Sequence, residues 1–405
     1  MALAHSPKIV TDGLVFAYDM ANSKKSWKGR PVTNQFTLPT SDTNGFGVQS
    51  STFTRVRTGN YGGYEIQPTD YVWRYNISGN DCPYHGWDIP TNAGAVVTFS
   101  FDYYVDATTT NYPITNQLAN MENTGSGVGG GYSDPTPSIK GVWKKGYFSS
   151  TATATGNSRC LLYPGSCGSR LADSGFILYK NPQVEFDAPG SVPTPFVAGT
   201  RSNTQALLDL TGNNTITANS LTYNSNGSFS FNGSTNYLQV PYSSLLSPTS
   251  AITLSVWATT DWQTTNNVRL LSKTESGGWQ LSINDDPAGN RVGMTIHVGG
   301  TYRYCTVLKT SIVSGYHNLV GTCDGRYLYL YIDGIQVSSL DLGSTMALTY
   351  SNNNDLIIGA EAGASGPAGS NYITASINDV KIYNRALSAA EVKQNFNALR
   401  GRYGI

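Results

Sequence analysis

The residues able to do chemistry are few and scattered. The chain of 405 residues holds six glutamates, Glu65, Glu122, Glu185, Glu275, Glu361 and Glu391, each far from the next along the sequence. Hydrolysis of a glycosidic bond needs two carboxyl groups facing one sugar bond, about 5–9.5 Å apart. On a strand, acids at i, i+2 and i+4 would project to one face. Glu185 and Asp187 are the one acidic pair at that spacing that contains a glutamate. A strand-end pair facing solvent or a cation explains them better. The histidines His5, His85, His297 and His317 lie in no nucleophile elbow and beside no metal-ligand partner. The stretch GSGVGGG at 125–131 lacks the following Lys-Ser/Thr and helix of a phosphate loop. The five cysteines, Cys82, Cys160, Cys167, Cys305 and Cys323, form no CxxC, and an odd number cannot all pair within one chain. The chemistry expected is recognition, not catalysis.

Recognition of sugars by β-sandwich modules uses aromatic faces flanked by Asn, Asp and Gln, carried on loops. The glycan-binding candidates are Trp73, Tyr75, Tyr84 and Trp87, with Tyr104 nearby in sequence. Trp73, Tyr84 and Trp87 flank the polar stretch Asn80-Asp81-Cys82. The alternative for Trp87 and Trp143 is a place in the core. Tyr327, Tyr329 and Tyr331 make a second aromatic stripe, suited to a sugar, to a second sheet or to a neighbouring subunit. Oxygen donors for a hard cation would come from Asp19, Asp209, Asn213, Asn214 and Asp379, so Ca2+ is the one ion the sequence admits. Turn formation accounts for the same residues equally well. Lys24, Lys25, Trp27, Lys28 and Arg30 form the one basic cluster, either a docking element or a solvated loop.

These side chains must be positioned by strands. Gly (43) and Tyr (26) are abundant, and only 13% of residues are charged, about half the ordinary share. Glycine and asparagine supply turns, while Thr, Tyr and Val suit pleated surfaces. The formal net charge is zero, which argues against a nucleic-acid surface. No apolar run approaches the roughly 18 residues of a membrane span. The start, MALAHSPKIVTDG, lacks the basic and apolar regions of a secretory leader, so synthesis in the cytoplasm is expected.

Alternating runs give the strands. FSFNGSTNYLQV reads as strand, Asn232-Gly233 turn and strand. AITLSVWATT is another strand, and HNLVGTCDGRYLYLYIDGIQVSSL gives three, separated by Asp324-Gly325 and Asp333-Gly334. Within Tyr327–Ile332, leucines and isoleucine take one face and tyrosines the other. Further strands are expected in DLIIGA, ASINDVKIYN, GAVVTFSFDYYVDA and the run opened by Trp143, with a strand pair in FILYKNPQVEFD. Residues 123–137 read as a surface loop and 189–204 as an extended crossover. Ser388-Ala-Ala-Glu391 is a capping box opening the one well-specified helix, with Ala389, Val392, Phe396 and Leu399 on its apolar face and Gly401 as its stop.

FSFNGSTNYLQV, ITLSVWATT, HNLVGTCDGRYLYLYIDGIQV, LIIGA and INDVKIYNRALSAAEVKQNF, in that order, resemble the laminin-G-like, concanavalin-A-type jelly rolls of microbial and phage surface proteins. In that family a strand like GLV-x-x-x-D closely precedes a turn like DLSGNG. Here Asp12–Asp19 and Asp209–Asn214 are far apart. The resemblance therefore implies that residues 1–30 contribute the first strand of a discontinuous jelly roll completed by 200–405. A second jelly roll, 31–198, would be inserted in it. Trp87-Asp-Ile-Pro90, VTFSFDYYV, Val142-Trp143-Lys-Lys and FILYKNPQVEFD are similar to carbohydrate-binding modules. In the same family His317 stands where a structural histidine precedes a strand.

The ends of the chain, TDGLVFAYDMANSKKSWKGRPVTN and NALRGRYGI, resemble virion structural proteins of tailed phages, including cyanobacterial ones. The resemblance implies an all-β virion protein of two antiparallel jelly rolls plus a short C-terminal helix, assembled in the host cytoplasm. Its implied partners are other virion proteins and host surface polysaccharide. Phage appendages are often trimers, so a homo-oligomer is the expectation. Attachment through host glycans, as in a tail fibre or receptor-binding protein, competes with capsid, baseplate or tail decoration without sugar binding. A polysaccharide-degrading enzyme is the third possibility and lacks its carboxylate pair.

Overall fold

The computed structural model describes residues 8–36, 48–49, 53–76, 85–110, 117–162, 175–224, 228–275, 277–350 and 352–405. Tyr84 and Asn80-Asp81-Cys82 lie outside the described residues. The chain divides into two compact units, one of 8–30, 202–224 and 228–405, the other of 31–201. Among the described residues both are antiparallel β-sandwiches.

In the first unit an eight-stranded sheet runs Thr222–Tyr223, Phe229–Asn232, Thr374–Tyr383, Ile252–Thr259, Tyr316–Cys323, Tyr327–Ile332, Ile335–Asp341. The eighth strand, Leu14–Asp19, pairs with Thr374–Tyr383 from Leu14↔Tyr383 to Asp19↔Asp379. It occupies the edge that Phe229–Asn232 leaves free beyond Ala375. The facing sheet runs Thr217–Asn219, Tyr237–Val240, Leu356–Ile358, Val268–Lys273, Trp279–Ile283, Arg291–Val298, Thr301–Leu308. Between the sheets lies one apolar core containing Phe16, Tyr18, Phe231, Leu254, Trp262, Trp279, Met294, Leu330 and Ile382. Burial of such side chains contributes about 1.5–3 kcal/mol each.

Local chemistry explains the connections. Asp333 and Gly334 both have positive φ, 53° and 70°, and join the paired residues Ile332 and Ile335. This is the two-residue hairpin that an Asp-Gly sequence favours. The Asp324-Gly325 turn is wider, because the Asp324 carboxylate accepts from the amides of Arg326 and Tyr327. The strands flanking Asn232-Gly233 do not pair with each other; that turn carries the chain from one sheet to the other. The helix spans Ala389–Leu399, and both halves of the Ser388/Glu391 capping box are formed. Its Phe396 ring stacks on Trp257 at 5.6 Å, and Tyr403 stacks on Trp257 at 4.2 Å.

The second unit pairs two five-stranded sheets. One runs Gly130–Ser133, Gln117–Thr124, Gly156–Leu162, His85–Thr91, Val48–Gln49. The other runs Trp143–Thr151, Val96–Val105, Phe176–Phe186, Val72–Asn76, Thr54–Arg55. Its core is aromatic, with Phe53, Trp73, Phe99, Phe101, Tyr103 and Tyr179. Two expectations are corrected. Residues 176–186 form one long strand, not a strand pair; a register shift between Lys180 and Gln183, with Asn181 at positive φ, absorbs the Asn-Pro step. Within the glycine-rich stretch, Gly130–Ser133 is an edge strand on Gln117–Thr124. Backbone pairing needs no side chain, and Val128 beside it is buried in the core.

Candidate functional site

The outer face of the seven-stranded sheet carries the candidate site. Alternation sends Trp279, Leu281, Val292, Met294 and Ile296 into the core. The residues between them point the other way, so Ser272, Gln280, Thr295 and Tyr304 line up across four neighbouring strands. An outer face normally meets water. Here Arg269, Gln280 and Thr295 are only 4%, 3% and 2% exposed, because loops rise around them. Thr274 and Glu275 follow one strand, Asp285 sits in the turn after another, and Glu361 follows Leu356–Ile358. Together with Arg269, Gln280, Thr295, Tyr302 and Tyr304 they enclose a cleft of about 220 Å3.

Arg269 organises the floor. Its Nη2 donates to Asp285 Oδ1 at 2.6 Å and to Glu361 Oε1 at 3.1 Å, and its Nη1 donates to Asn267 at 3.2 Å. Asp285 Oδ2 accepts from Gln280 Nε2. Glu361 Oε2 accepts from Ser370 and Asn371. Every carboxylate oxygen of the pair thus has a protein donor, which fixes both groups as oriented acceptors. Their side chains remain 21% and 26% exposed, and both line the cleft. Burial raises the Asp285 carboxyl above its ordinary pKa, the Arg269 charge opposes this, and Glu361 adds to it. Burial, then Asp285 and Asp286, raise the Tyr304 hydroxyl. At Arg269 the Nε–H is buried and has no acceptor.

Sequence reasoning missed this site because its acids come from separate loops, Asp285 and Glu361, with no strand spacing to join them. The clue available was Arg269 in VRLLSK, a charge where a strand's outer face is otherwise small or polar.

A second cavity, of about 510 Å3, lies on the outer face of the eight-stranded sheet and is lined by Tyr327, Tyr329, Tyr331, Asp324, Gln336 and Glu391 among others. The stripe faces away from the opposite sheet. Tyr331 is buried with Leu387 and Val392, while Tyr327 and Tyr329 are half-buried and stack at 6.2 Å.

The other residues singled out from sequence fall elsewhere. Trp73, Tyr75 and Trp87 are 1%, 5% and 7% exposed and belong to the aromatic core of the second unit. Phe36 packs on Trp87 at 3.8 Å, and Phe53 packs on Tyr75 at 5.5 Å. Their faces are covered by other rings, so they offer no stacking platform. Tyr104 is likewise buried, beside Trp143. Trp27 is a core residue stacked on Tyr223 and packed on Phe229. The turn that bonds the Trp27 amide back to the Asn22 carbonyl turns the ring inward. Lys24 and Lys25 are exposed, and Lys28 and Arg30 are half-buried.

The cation candidates do not meet in one cage. Asp209 takes amide hydrogens from Ala17, Thr211 and Asn214 and the side chains of Thr211 and Asn214. Asn213 only closes this turn through its amide. Asp19 pairs with Arg402 at 2.6 Å, and the buried Asp379 pairs with Lys381. Each carboxylate already faces a donor where an ion would sit. Among the described residues no group of three or more His, Cys, Asp or Glu could hold a metal. His317 is held by Asp333 at 2.7 Å and the Val313 carbonyl at 3.0 Å.

Residues 232–393 match a laminin-G family model described as the concanavalin A-like lectin/glucanases superfamily. The chain carries a domain of that fold. No curated protein matches the chain. Among solved structures it is similar to the binding domain of botulinum neurotoxin serotype G (21% identity, 47% of this chain and 48% of that chain, TM-score 0.37). It is similar also to the binding domain of Paraclostridial Mosquitocidal Protein 1 (17% identity, 47% and 49%, TM-score 0.37). A third is the botulinum neurotoxin serotype C1 binding domain (15% identity, 49% and 51%, TM-score 0.38). The chain spans about half the length of the structures it matches.

Proposed function

We propose that this chain is a non-catalytic attachment protein that binds surface glycans through the Arg269 cleft, and that it acts on a tailed-phage particle. The observation that carries the glycan reading is the loop-enclosed polar cleft on a lectin-type sheet, with two fixed carboxylate acceptors at its floor and two tyrosines at its wall. Sugar hydroxyls donate to such acceptors, and sugar C–H faces pack on such rings. Binding fits the pair better than hydrolysis does, since both carboxylates are tied to one guanidinium. The virion assignment, with other virion proteins as neighbours in a homo-oligomer, is supported by the resemblance of the chain's two ends.

The test is a screen of purified full-length protein against host surface polysaccharide, beside an Asp285→Ala, Glu361→Ala variant. Saccharide binding lost in the variant is the expected outcome. Release of reducing ends from the polysaccharide would refute the non-catalytic reading. No binding by folded protein would refute the glycan reading.

A structural or decoration role without sugar binding is the second reading. The edge strand Ile335–Asp341 favours it, since its Ile335 and Val337 are exposed. A tight self-association lost in Ile335→Lys, measured by light scattering, would support it.

A further inference from the structure

We infer that the Arg269 cleft selects a neutral sugar ring with adjacent hydroxyls and rejects acidic sugars such as uronates; this rests on the glycan reading above. The volume comes first. At about 220 Å3 the cleft is below the roughly 300 Å3 at which ordinary small-molecule pockets begin, so one ring fills it.

The charge comes second. One guanidinium, Arg269, stands against the carboxylates of Asp285, Glu361 and Glu275, for a formal charge of −2 in the lining. A ligand carboxylate would bring a further negative charge against this excess of acids. A metal ion would meet Arg269, which already lies 2.6 and 3.1 Å from the two acids it would need.

The hydrogen-bond inventory comes third. Asp285 and Glu361, both partly exposed, present carboxylate acceptors at the cleft. A hydroxyl supplies a donor without bringing a charge. Two adjacent hydroxyls meet the two carboxylates. A carboxylate anion supplies no such donor. Tyr302 and Tyr304, both half-buried and on one face of their strand, supply an apolar wall for the ring's C–H face. Arg269 is a positioning residue: its planar fork sets the separation of the acceptors.

The experiment compares methyl glucoside with methyl glucuronide, and methyl galactoside with its uronate, by saturation-transfer NMR and titration calorimetry on the full chain. The expected result is preference for each neutral sugar by at least tenfold. The exposed Glu275 is then changed to Gln, a substitution that leaves the floor intact. One negative charge fewer should narrow the preference by about threefold to tenfold at low salt and less at high salt. Uronates bound as well as, or better than, their neutral partners would overturn the selectivity while leaving glycan binding standing. No sugar bound by folded protein would overturn both. A Glu275→Gln variant with unchanged preference would overturn the electrostatic cause.

Discussion

Replacing Phe16 by Ala tests whether the N-terminal strand is integral to the first sandwich. Phe16 is fully buried in its core, sits opposite Ile382 in the strand ladder and meets Tyr18 edge-to-face at 6.3 Å. Truncating a buried Phe to Ala costs about 3–5 kcal/mol, from lost transfer energy and the cavity left behind. At about 1.4 kcal/mol per factor of ten, amides that exchange through opening of this sandwich should speed up about a hundredfold to a few thousandfold. The assay is native-state hydrogen exchange by NMR or mass spectrometry, following Ile377, Val380 and Ile382 in the strand that Leu14–Asp19 pairs with. The amides of Val96–Val105 are the internal reference, since the core they pack in does not contain Phe16. Protection of Ile377–Ile382 that changes by less than about threefold would refute the reasoning, because the ring would then add little to the cohesion of that sheet.

Removing the Asp209 carboxylate by Asp209→Ala leaves the amides of Ala17, Thr211 and Asn214 without their acceptor, while the Thr211 and Asn214 side chains keep the Val15 carbonyl; a loss of about 2–4 kcal/mol is expected in urea melts, and EDTA should leave the wild-type melt unchanged. His317 has acceptors at both ring nitrogens, with Asp333 the main cause of its raised pKa. Its stabilising effect is therefore full below about pH 6.5 and falls as pH rises through its higher folded value, so the stability gap between wild type and His317→Gln should shrink from pH 6 to pH 9. Burial depresses Lys273 to about 8. Its charge then costs stability below that pH and the cost is relieved up to its unfolded value of 10.5, so the wild-type melting temperature should gain between pH 8 and 10 relative to Lys273→Met. Ser388→Ala removes half of the capping box and should cost about 1 kcal/mol in a chemical melt.

Much of the first unit was legible because its signals are local. Asp333-Gly334 specifies its hairpin, Leu328 and Leu330 alternate with tyrosines, and Ser388 with Glu391 marks the helix start. These depend on neighbours within a few residues. The partner of Asn232-Gly233 was not legible, since pairing across sheets depends on tertiary contacts. Trp73, Tyr75 and Trp87 looked like loop aromatics in a polar stretch, but the second unit has so many rings that its core takes them. The cleft was hidden for the opposite reason. Arg269, Asp285 and Glu361 are unremarkable singly and meet only when loops from three places in the chain close over one sheet.

The turn at Trp27 has a consequence for how such a chain can change. Trp27 bridges Leu207, and the Lys28 amide donates to the Ala206 carbonyl at 2.8 Å, so the two crossings between the units leave the first sandwich side by side. A short turn could join positions 28 and 206 with little loop-closure cost. Residues between them are thereby exchangeable as a cassette, and recombination at these two points would swap one module for another without touching the sheet that bears Arg269. A chain with that segment replaced by a few glycines and serines should keep a cooperative melt, and an unfolded product would show that the seam does not support exchange.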